Sequence, residues 1–510
     1  FFPPQGRHWE KKALEGVGGG EDGPKRDREV AFAMKFKTIS RSEEAYTRER
    51  RDDVVKVSRN PNPELHPFER AREYTRALNA VKLDRMFAKP LVAQLDGHSD
   101  GIWCMATSPR SLSAFVTGGA DGEVRVWDLP HRKTLWSSPA HVGMVQSVCV
   151  TADGSSFYTC GDDKTVKLWS LTPDALLDGV SENKAGKRRR TTTMQDEDDE
   201  ETEGSAIENR LVLPKSTLSC SYTPLAVDCH WASNSTFVTA GDRVDLWDQA
   251  RSDPVSSFTW GVDSIQTVKF NPSERNLVAS TGSDRSVCLY DIRQRTALRK
   301  TIMRMRSNAL AWNPMEPLSF VVANEDHNLY TFDMRKMEKA RILHRDHVGA
   351  VMDVSFSPTG KEFVTASYDR TIRLFKSNAT KSYQLYHSKR MQRSFCAEFS
   401  RDAHFVISGS DDTNLRIWKA DASKPLGRLL PRERDRINYN KSLINRYKHV
   451  KEINRIHRTQ FAPKMIRKEK QKKHIMQTAA KGKLERRLAN NPNETRPDPE
   501  SKRAVLKEVE

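Results

Sequence analysis

One phrase recurs seven times along this chain and constrains its fold more than any other feature. Its first copy, Gly118–Asp128, places an aspartate in a glycine-containing turn and an aromatic residue six positions later. The residues between them alternate between apolar and charged side chains, which is the period of a β-strand with one buried face. The aspartates of the seven copies are Asp121, Asp163, Asp242, Asp284, Asp326, Asp369 and Asp412.

The spacing between copies is regular. Successive aspartates are 42 or 43 residues apart, except for Asp163 and Asp242, whose separation of 79 residues fits one unit plus an insertion. A repeat of about 40–45 residues built from short strands is typical of a β-propeller blade. The copies resemble WD repeats, and the residues that carry the resemblance are Gly97-His98, Ala140-His141, Asp346-His347, Trp127-Asp128, Trp247-Asp248, Tyr290-Asp291 and Phe332-Asp333.

The sequence therefore predicts an all-β fold, a seven-bladed WD-repeat β-propeller over residues 91–420, with a basic α-helical C-terminal extension. Closing the ring removes open sheet edges, which would otherwise pair with other chains. Leu91–Leu95 has the pattern of a strand but no preceding blade of its own. We expect this strand to complete the seventh blade, whose inner strands lie near Phe395–Trp418.

In WD repeats a His, a Ser or Thr, an Asp and a Trp of one blade form a buried hydrogen-bonded tetrad, since each polar group needs a partner once buried. The resemblance implies two such sets, His98, Thr117, Asp121 and Trp127, then His141, Thr159, Asp163 and Trp169. A Ser/Thr-His-Asp set also suggests a hydrolase, but a catalytic set occurs once and this one repeats at blade spacing. Asp263 replaces the His of the fourth unit, and Phe375 in the sixth lacks an indole donor. We interpret the tetrads as scaffold and expect no catalytic residue.

Other signals exclude several classes of protein. No P-loop, Gly-x-Ser-x-Gly or His-Glu-x-x-His motif is present, so we expect no enzyme activity and no cofactor. The seven cysteines include no Cys-x-x-Cys pair, which argues against a metal site or a disulfide framework and fits a reducing compartment. No apolar run reaches the roughly 18 residues that cross a membrane. Residues 1–33 lack the apolar core of a secretion signal.

The segments outside the repeats are polar. We expect residues 1–33 to be a disordered or non-native extension, because Met34 resembles a natural start. Residues 34–90 form an N-terminal segment in which Glu69–Phe87 is predicted to be a short helix that packs on the propeller rim, with a loosely attached linker as the alternative. Between the second and third blades, residues 171–213 form a charged insertion, which we expect to be disordered because it cannot bury enough surface to fold.

The net charge of +18 is concentrated near the C-terminus. Residues 428–487 contain 20 Lys or Arg and 5 Asp or Glu, and therefore carry +15. We expect residues 421–490 to form a basic helical domain, with Pro463 in the first turn of its second helix, and residues 491–510 to be a disordered tail. The candidate RNA-binding residues of this basic arm are Arg446, Lys448, Lys451, Arg455, Arg458, Lys464, Arg467, Lys468, Lys470, Lys472, Lys473, Arg486 and Arg487.

The basic arm has three interpretations. A charge run is usually a solvated face that aids solubility, but acids are too few here to neutralise the helices. Binding to a polyanion releases counterions and is our first interpretation, and an acidic protein partner is the second. Aromatic residues in the arm are sparse (Tyr439, Tyr447 and Phe461), which favours contact with the backbone of structured RNA over base stacking.

The propeller and the arm together resemble a small family of WD-repeat proteins with a Sof-type C-terminal domain. The residues that carry this resemblance are Asn62–Glu69, Arg72–Ala80, Phe87–Pro90, Asn324–Arg335, Arg434–Asn445 and His449–Lys464. It implies a protein of the nucleus and nucleolus within the small-subunit processome, whose partners are pre-ribosomal RNA, box C/D small nucleolar ribonucleoprotein and other processome proteins. Its implied role is pre-rRNA processing to small-subunit rRNA. The run Lys187–Arg190 fits a nuclear localisation signal and equally a solvated loop.

A second candidate function is that of a substrate receptor of a cullin-RING ubiquitin ligase. Some WD-repeat receptors dock the ligase adaptor through Trp-Asp-x-Arg phrases on two consecutive blades. This chain offers Asp291 with Arg293 and Asp333 with Arg335, each pair preceded by Tyr or Phe instead of Trp. The alternative is that each Asp and Arg merely ends a strand. The two functions can coexist in one protein.

Overall fold

The structure is a computed structural model that describes residues 67–171, 212–259, 264–294, 296–491 and 495–509. Several sequence-based expectations fall outside these residues, namely those for the extension 1–33, for the segment up to residue 66, for Lys187–Arg190 and most of the insertion 171–213, and for Asp263.

Seven antiparallel sheets account for the whole repeat region. Blades 1 to 3 contain β2 (Ile102–Thr107), β3 (Ala114–Gly119), β4 (Glu123–Asp128) and β5 (Lys133–Pro139); β6 (Val145–Val150), β7 (Ser156–Gly161), β8 (Thr165–Ser170) and β9 (Ser216–Ser219); and β10 (Ala226–Cys229), β11 (Thr236–Ala240), β12 (Val244–Asp248) and β13 (Ser256–Phe258).

Blades 4 to 7 complete the ring. They contain β14 (Ile265–Phe270), β15 (Leu277–Gly282), β16 (Ser286–Asp291) and β17 (Ala297–Met303); β18 (Ser307–Trp312), β19 (Ser319–Asn324), β20 (Asn328–Asp333) and β21 (Ile342–Arg345); β22 (Val351–Phe356), β23 (Glu362–Ser367), β24 (Ile372–Lys376) and β25 (Gln384–Tyr386); and β26 (Ser394–Phe399), β27 (Phe405–Ser410) and β28 (Leu415–Lys419) with β1 (Leu91–Leu95). The predicted seven-bladed propeller is confirmed.

The ring closes by pairing the first strand of the repeat region with the last. β1 lies antiparallel to β28, with Leu91 opposite Trp418 and Leu95 opposite Leu415. The Lys419 amide also donates to the Pro90 carbonyl at 2.8 Å, one residue before β1. The predicted closure is therefore present, and blade 7 reaches the four strands of its neighbours only by taking β1.

Apolar side chains from neighbouring sheets interdigitate to form the core. Val116 and Val126 of blade 1 are 0% exposed and belong to one cluster with Val148 and Phe157 of blade 2. The alternation seen in the sequence explains this packing, because successive residues of a strand point to opposite faces of its sheet. Each blade thus buries one face against each neighbour, and a lone blade would leave both faces in water.

The two complete tetrads form the expected hydrogen-bonded chains. His98 Nε2 lies 2.8 Å from Thr117 Oγ1, and Trp127 Nε1 donates to the same hydroxyl at 2.7 Å. His98 Nδ1 lies 3.4 Å from Asp121 Oδ2. Burial acts to raise the pKa of Asp121, but its hydrogen bonds with His98 and with backbone amides outweigh burial and hold the pKa below its ordinary value. Gly119 is required here, since a Cβ atom would lie 2.3 Å from Asp121 Oδ1.

The second tetrad repeats this geometry. His141 contacts Thr159 Oγ1 at 2.8 Å and Asp163 Oδ1 at 2.9 Å, and Trp169 Nε1 donates to Thr159 Oγ1 at 2.9 Å. Blade 3 has a tyrosine in place of the histidine, which the sequence did not reveal. The Tyr222 hydroxyl lies 2.9 Å from Oγ1 of Thr239, the buried threonine of this blade. Such hydrogen-bonded sets recur in several blades, which is expected of a structural role and not of a catalytic site.

The charged insertion lies inside blade 2, which corrects its expected position between the second and third blades. β8 ends at Ser170 before the insertion, and β9 follows it. β9 pairs antiparallel with β8, with Thr165 opposite Ser219, so β9 is the outermost strand of the same sheet. An outer strand tolerates a long connection because its loop leaves the ring at the surface.

Three helices pack together outside the ring. They are α1 (Glu69–Met86), α2 (Pro431–Tyr447) and α3 (Lys451–His457), and their shared buried residues are Ala77, Ala80, Val81, Leu443, Ile444 and Ile453. The expectation that α1 packs on the propeller rim is therefore wrong for its buried residues, which pack on α2 and α3 instead. Arg85 of α1 reaches blade 6, where it donates to Gln384 Oε1 at 3.3 Å, while Tyr74, Leu78 and Val81 pack with the C-terminal helices.

The C-terminal region is more ordered than its composition suggests. The single helical pattern predicted before Pro463 is two helices, α2 and α3, and α4 (Lys464–Asn490) begins directly after the proline. The expectation of a disordered tail at 491–510 is wrong for its last part, which contains α5 (Glu500–Arg503) and β29 (Val505–Val509). β29 pairs antiparallel with β17 and makes blade 4 a five-stranded sheet. Its backbone groups satisfy the outer edge of that sheet.

Replacing Ile453 with alanine should destabilise the three-helix cluster, because this side chain is 0% exposed. We expect a loss of about 2–5 kcal/mol in the free energy of unfolding of this region. The matched control is Ile475→Ala on α4, where the side chain is 59% exposed and the change should stay within about 0.5 kcal/mol. Hydrogen exchange of α1–α3 during a urea titration measures the change in stability caused by each substitution. Equal effects of the two substitutions would contradict the packing of Ile453 in the cluster.

Lowering the pH should destabilise blade 5 through His344. Its ring is 0% exposed, with Nδ1 2.6 Å from the Ala379 carbonyl and Nε2 2.8 Å from Thr331 Oγ1. Burial lowers its pKa to about 4, whereas the unfolded chain takes up the proton near pH 6.5. The unfolded state therefore binds more protons below pH 6.5, and stability falls by about 2 kcal/mol between pH 7 and pH 5.

This contribution is isolated with His344→Gln. Urea titrations at pH 7 and pH 5 measure how much of the free energy of unfolding is lost on acidification. This loss should be about 2 kcal/mol smaller in the variant than in the unchanged chain. An identical pH dependence in both proteins would contradict the assignment. His141 and His347 also have lowered pKa values through burial, so some acid sensitivity should remain in the variant.

Candidate functional site

Helix α4 presents most of the predicted basic residues to solvent. Only Ile466 is buried along its 27 residues, so almost all of the helix surface is available to a partner. The sequence of α4 contains ten Lys or Arg and two Glu, over a length of about 40 Å. Its exposed candidate residues are Lys464, Arg467, Lys468, Lys470, Lys472, Arg486 and Arg487.

One of these lysines attaches α4 to the propeller. Lys470 Nζ lies 2.6 Å from Asp346 Oδ1, and the Asp346 side chain is 5% exposed. The other carboxylate oxygen accepts from the backbone amide and the hydroxyl of Ser382, each at 2.8 Å. Burial acts to raise the pKa of Asp346, but the charge of Lys470 and its hydrogen bond outweigh burial and hold the pKa below its ordinary value. Asp346 therefore stays charged at neutral pH, and its ion pair with Lys470 holds α4 against blade 6.

Two other candidate residues also have contacts within the chain. Arg446 donates to Glu73 Oε2 of α1 at 3.0 Å. Lys473 is partly buried, and burial lowers its pKa although the nearby Asp326 acts to raise it. These contacts differ from the expectation of an arm whose cations all face an external polyanion. The remaining candidates on α2, α3 and the turns after them are exposed, namely Lys448, Lys451, Arg455 and Arg458.

The arrangement suits electrostatic attachment to an extended polyanion. A helix with cations on every face neutralises phosphates without selecting a base, and each neutralised phosphate releases a counterion. The attachment through Lys470 gives α4 a defined position on the ring, so a polyanion on this helix would lie at one side of the propeller. The exposed apolar side chains of α4 include Met465, Ile475 and Met476, and the helix contains no Phe, Tyr or Trp on which bases could stack.

The two candidate adaptor-docking phrases occupy equivalent positions in consecutive blades. Asp291 ends β16 in blade 4 and Asp333 ends β20 in blade 5. In each phrase the aspartate Oδ1 accepts from the backbone amide two residues later, Arg293 in one and Arg335 in the other, both at 3.0 Å. This turn leads each arginine away from its strand, and both arginines are exposed. The structure thus brings all four predicted residues to the same end of neighbouring sheets.

Sequence reasoning missed the residues that hold the second phrase. Arg299 of β17 donates from Nη1 to the Arg335 carbonyl, so a side chain of blade 4 fixes the backbone of blade 5. Glu508 of β29 lies 3.4 Å from the same guanidinium nitrogen. Residues Val505–Val509 do not alternate between apolar and polar side chains, so the sequence did not signal this strand, and nothing in it identifies β17 as the partner.

One group of side chains has the geometry of a metal site. His98, Asp121 and Glu123 place one ligand atom each within 4.8 Å of one another. Both ring nitrogens of His98 already have tetrad partners, and Glu123 Oε2 accepts from Arg125 Nη2 at 2.8 Å. These atoms are committed to hydrogen bonds, and the set does not fit a resident metal. No described helix is both long and apolar enough to cross a membrane.

Comparison with known families agrees with this architecture. The model of the WD domain, G-beta repeat, matches residues 89–128, 132–170, 252–291, 339–376 and 384–419. The model of the Sof1-like domain matches residues 420–505, which cover α2 to α5 and the first residue of β29. A propeller of WD repeats followed by this domain defines a class of protein-interaction scaffold. The chain belongs to the family of WD-repeat proteins with a Sof1-like domain.

Relatives match over nearly their whole lengths. The DDB1- and CUL4-associated factor 13 of Xenopus tropicalis is 44% identical over 479 residues, which are 94% of this chain and 100% of that protein. The human protein of the same name is 43% identical over 458 residues, 90% of this chain and 96% of that protein. Protein SOF1 of Saccharomyces cerevisiae is 42% identical over 469 residues, 90% of this chain and 91% of that protein.

Proposed function

We propose that this protein is a non-catalytic ribosome biogenesis factor of the nucleolar small-subunit processome. In this proposal it associates with box C/D small nucleolar ribonucleoprotein and is required for processing pre-rRNA to small-subunit rRNA. The observation that carries the proposal is the exposed basic helix α4 on a closed propeller. Similarity to Protein SOF1 and the match to the Sof1-like domain support it.

The two parts have separate tasks in this proposal. The propeller supplies a rigid surface for processome proteins, since its closed sheets bury their edges and keep their loops in fixed places. Helix α4 binds the RNA backbone through charge, and the Lys470–Asp346 pair keeps that RNA next to blade 6. Sequence selection then comes from the partners and from RNA shape, because cations that meet phosphates do not distinguish bases.

Neutralising three exposed cations of α4 should weaken binding to structured RNA. In the triple variant Arg467→Gln, Lys468→Gln and Lys472→Gln, the slope of log affinity against log salt should decrease in magnitude by about 2. The matched control changes three exposed cations of the propeller, Lys133, Arg251 and Lys361, to Gln. Filter binding to a structured pre-rRNA fragment at several salt concentrations measures both variants.

The same pair of variants tests the cellular part of the proposal. Crosslinking in cells should recover pre-ribosomal RNA with the unchanged protein and with the control, and less of it with the α4 variant. Equal salt slopes for both variants would reject α4 as the RNA-binding element. Recovery of RNAs unrelated to the ribosome would reject the processome assignment while leaving RNA binding intact.

We propose as a second function that the protein is a substrate receptor of a cullin-RING ubiquitin ligase. The specific observation is the pair of equivalent phrases in blades 4 and 5, each with an exposed arginine after an aspartate-capped turn. The name shared by several relatives, DDB1- and CUL4-associated factor 13, supports DDB1 as the adaptor. Both functions use different surfaces of the chain and are compatible.

Substituting Arg293 and Arg335 together with alanine should abolish capture of purified DDB1. Both side chains are exposed, so the fold should keep its stability to within about 0.5 kcal/mol. The control is Arg251→Ala with Arg370→Ala, two exposed arginines outside the phrases. Undiminished DDB1 binding by the phrase variant would show that the phrases only end their strands.

A further inference from the structure

The last described residues of the chain form a strap across two blades. This C-terminal strap, residues 495–509, contains α5 and β29. Val509 lies opposite Lys300 and Val505 opposite Met303 in the pairing of β29 with β17 of blade 4. Ala504 is 6% exposed and packs in one apolar cluster with residues of blades 4 and 5. The strap therefore joins the two blades that carry the candidate docking phrases.

The strap also holds the loop that follows the second phrase. This loop, residues 334–341, connects Asp333 to the outer strand β21. The Ala340 amide donates to the Ser501 carbonyl at 3.2 Å, and Met337 is 0% exposed in the same cluster as Ala504. Lys502 Nζ lies 3.8 Å from Glu338 Oε1. The loop thus donates a backbone hydrogen bond to the chain's own C-terminal segment and also makes an apolar contact and an ion pair with it.

A third contact reaches the phrase itself. The guanidinium of Arg299 binds the Arg335 carbonyl and lies 3.4 Å from the Glu508 carboxylate. Arg299 and Glu508 are both partly buried, with side chains 29% and 19% exposed, so their attraction is less screened than on an open surface. Glu508 therefore orients the cation that fixes the backbone of the second docking phrase.

We propose that the adaptor-docking surface is composite, with the C-terminal strap as the element that positions the Asp333–Arg335 phrase. This inference rests on the second proposed function. The strap does not cover the surface, because Arg293 and Arg335 remain exposed with the strap in place. It acts by holding the loop and the phrase in one conformation before the adaptor arrives, which removes part of the ordering cost of binding.

Two consequences follow from this arrangement. Removing the strap should weaken adaptor binding although the arginines that meet the adaptor are unchanged. Adaptor binding should in turn protect the strap from release, because coupling between two binding events is reciprocal. A proteolytic cut between α4 and the strap would then lower adaptor affinity without touching either arginine.

The experiment uses three variants of the full chain. Deletion of residues 495–510 removes the strap, Glu508→Gln keeps the strap but removes the charge beside Arg299, and Lys507→Gln is the control. Lys507 is exposed and lies next to Glu508 on β29. The first measurement is hydrogen exchange of peptide 334–341 in the free protein, and the second is affinity for purified DDB1.

The deletion should speed hydrogen exchange in peptide 334–341 by at least about tenfold, because the Ala340 amide loses its hydrogen bond to the Ser501 carbonyl. It should also weaken DDB1 binding by about tenfold, and Glu508→Gln should weaken it by roughly threefold. Lys507→Gln should change neither quantity. Unchanged exchange after the deletion would overturn the inference, whether or not DDB1 binds.

The outcomes separate this inference from the function on which it rests. If the Arg293 and Arg335 variant loses DDB1 but the strap deletion and Glu508→Gln bind normally, the docking function stands and the positioning role is wrong. If DDB1 binds none of the proteins, including the unchanged chain, the docking function fails. A strap deletion that unfolds the protein would show a structural role alone if Glu508→Gln then keeps full affinity.

Discussion

The pairing of β1 with β28 is the interaction on which the rest of the structure depends. A propeller is held by the contact of each sheet with two neighbours, and without β1 the outer edge of blade 7, at β28, would be unpaired. β1 comes from a point some 320 residues away in sequence from its partner, as the pairing of Leu95 with Leu415 shows. The ring is therefore complete only when the two ends of the repeat region, β1 and β28, pair with each other.

This closure also explains the position of the helices outside the ring. α1 ends at Met86, five residues before the start of β1 at Leu91, so the contacts that hold α1 also restrain the closing strand. Those contacts come from α2 and α3, which follow blade 7 directly. Two helices of the Sof1-like domain thus pack on a helix that precedes the propeller in sequence, and their shared apolar core supports the closure of the ring.

The ring needs little from α4, and this leaves the sequence of α4 open to a different use. Only Ile466 of the helix is buried, so its other positions can be basic without loss of core packing. Lys470 and the partly buried Lys473 face the propeller, so they are less available to an external partner. They fix the position of α4 beside blades 5 and 6. A basic helix that is attached to the propeller at a fixed point can hold a polyanion close to the surface that the propeller offers to other proteins.

The sequence by itself determined the number of blades, the closing role of Leu91–Leu95 and the concentration of positive charge in the arm, because these follow from local patterns and from their period. Only the tertiary structure decided that α1 packs on α2 and α3, that β9 belongs to blade 2 and that β29 joins blade 4. It also decided which cations are paired within the chain, as with Lys470 and Asp346 or Arg446 and Glu73. Such contacts join residues far apart in sequence, and neither composition nor period specifies which distant group each side chain meets.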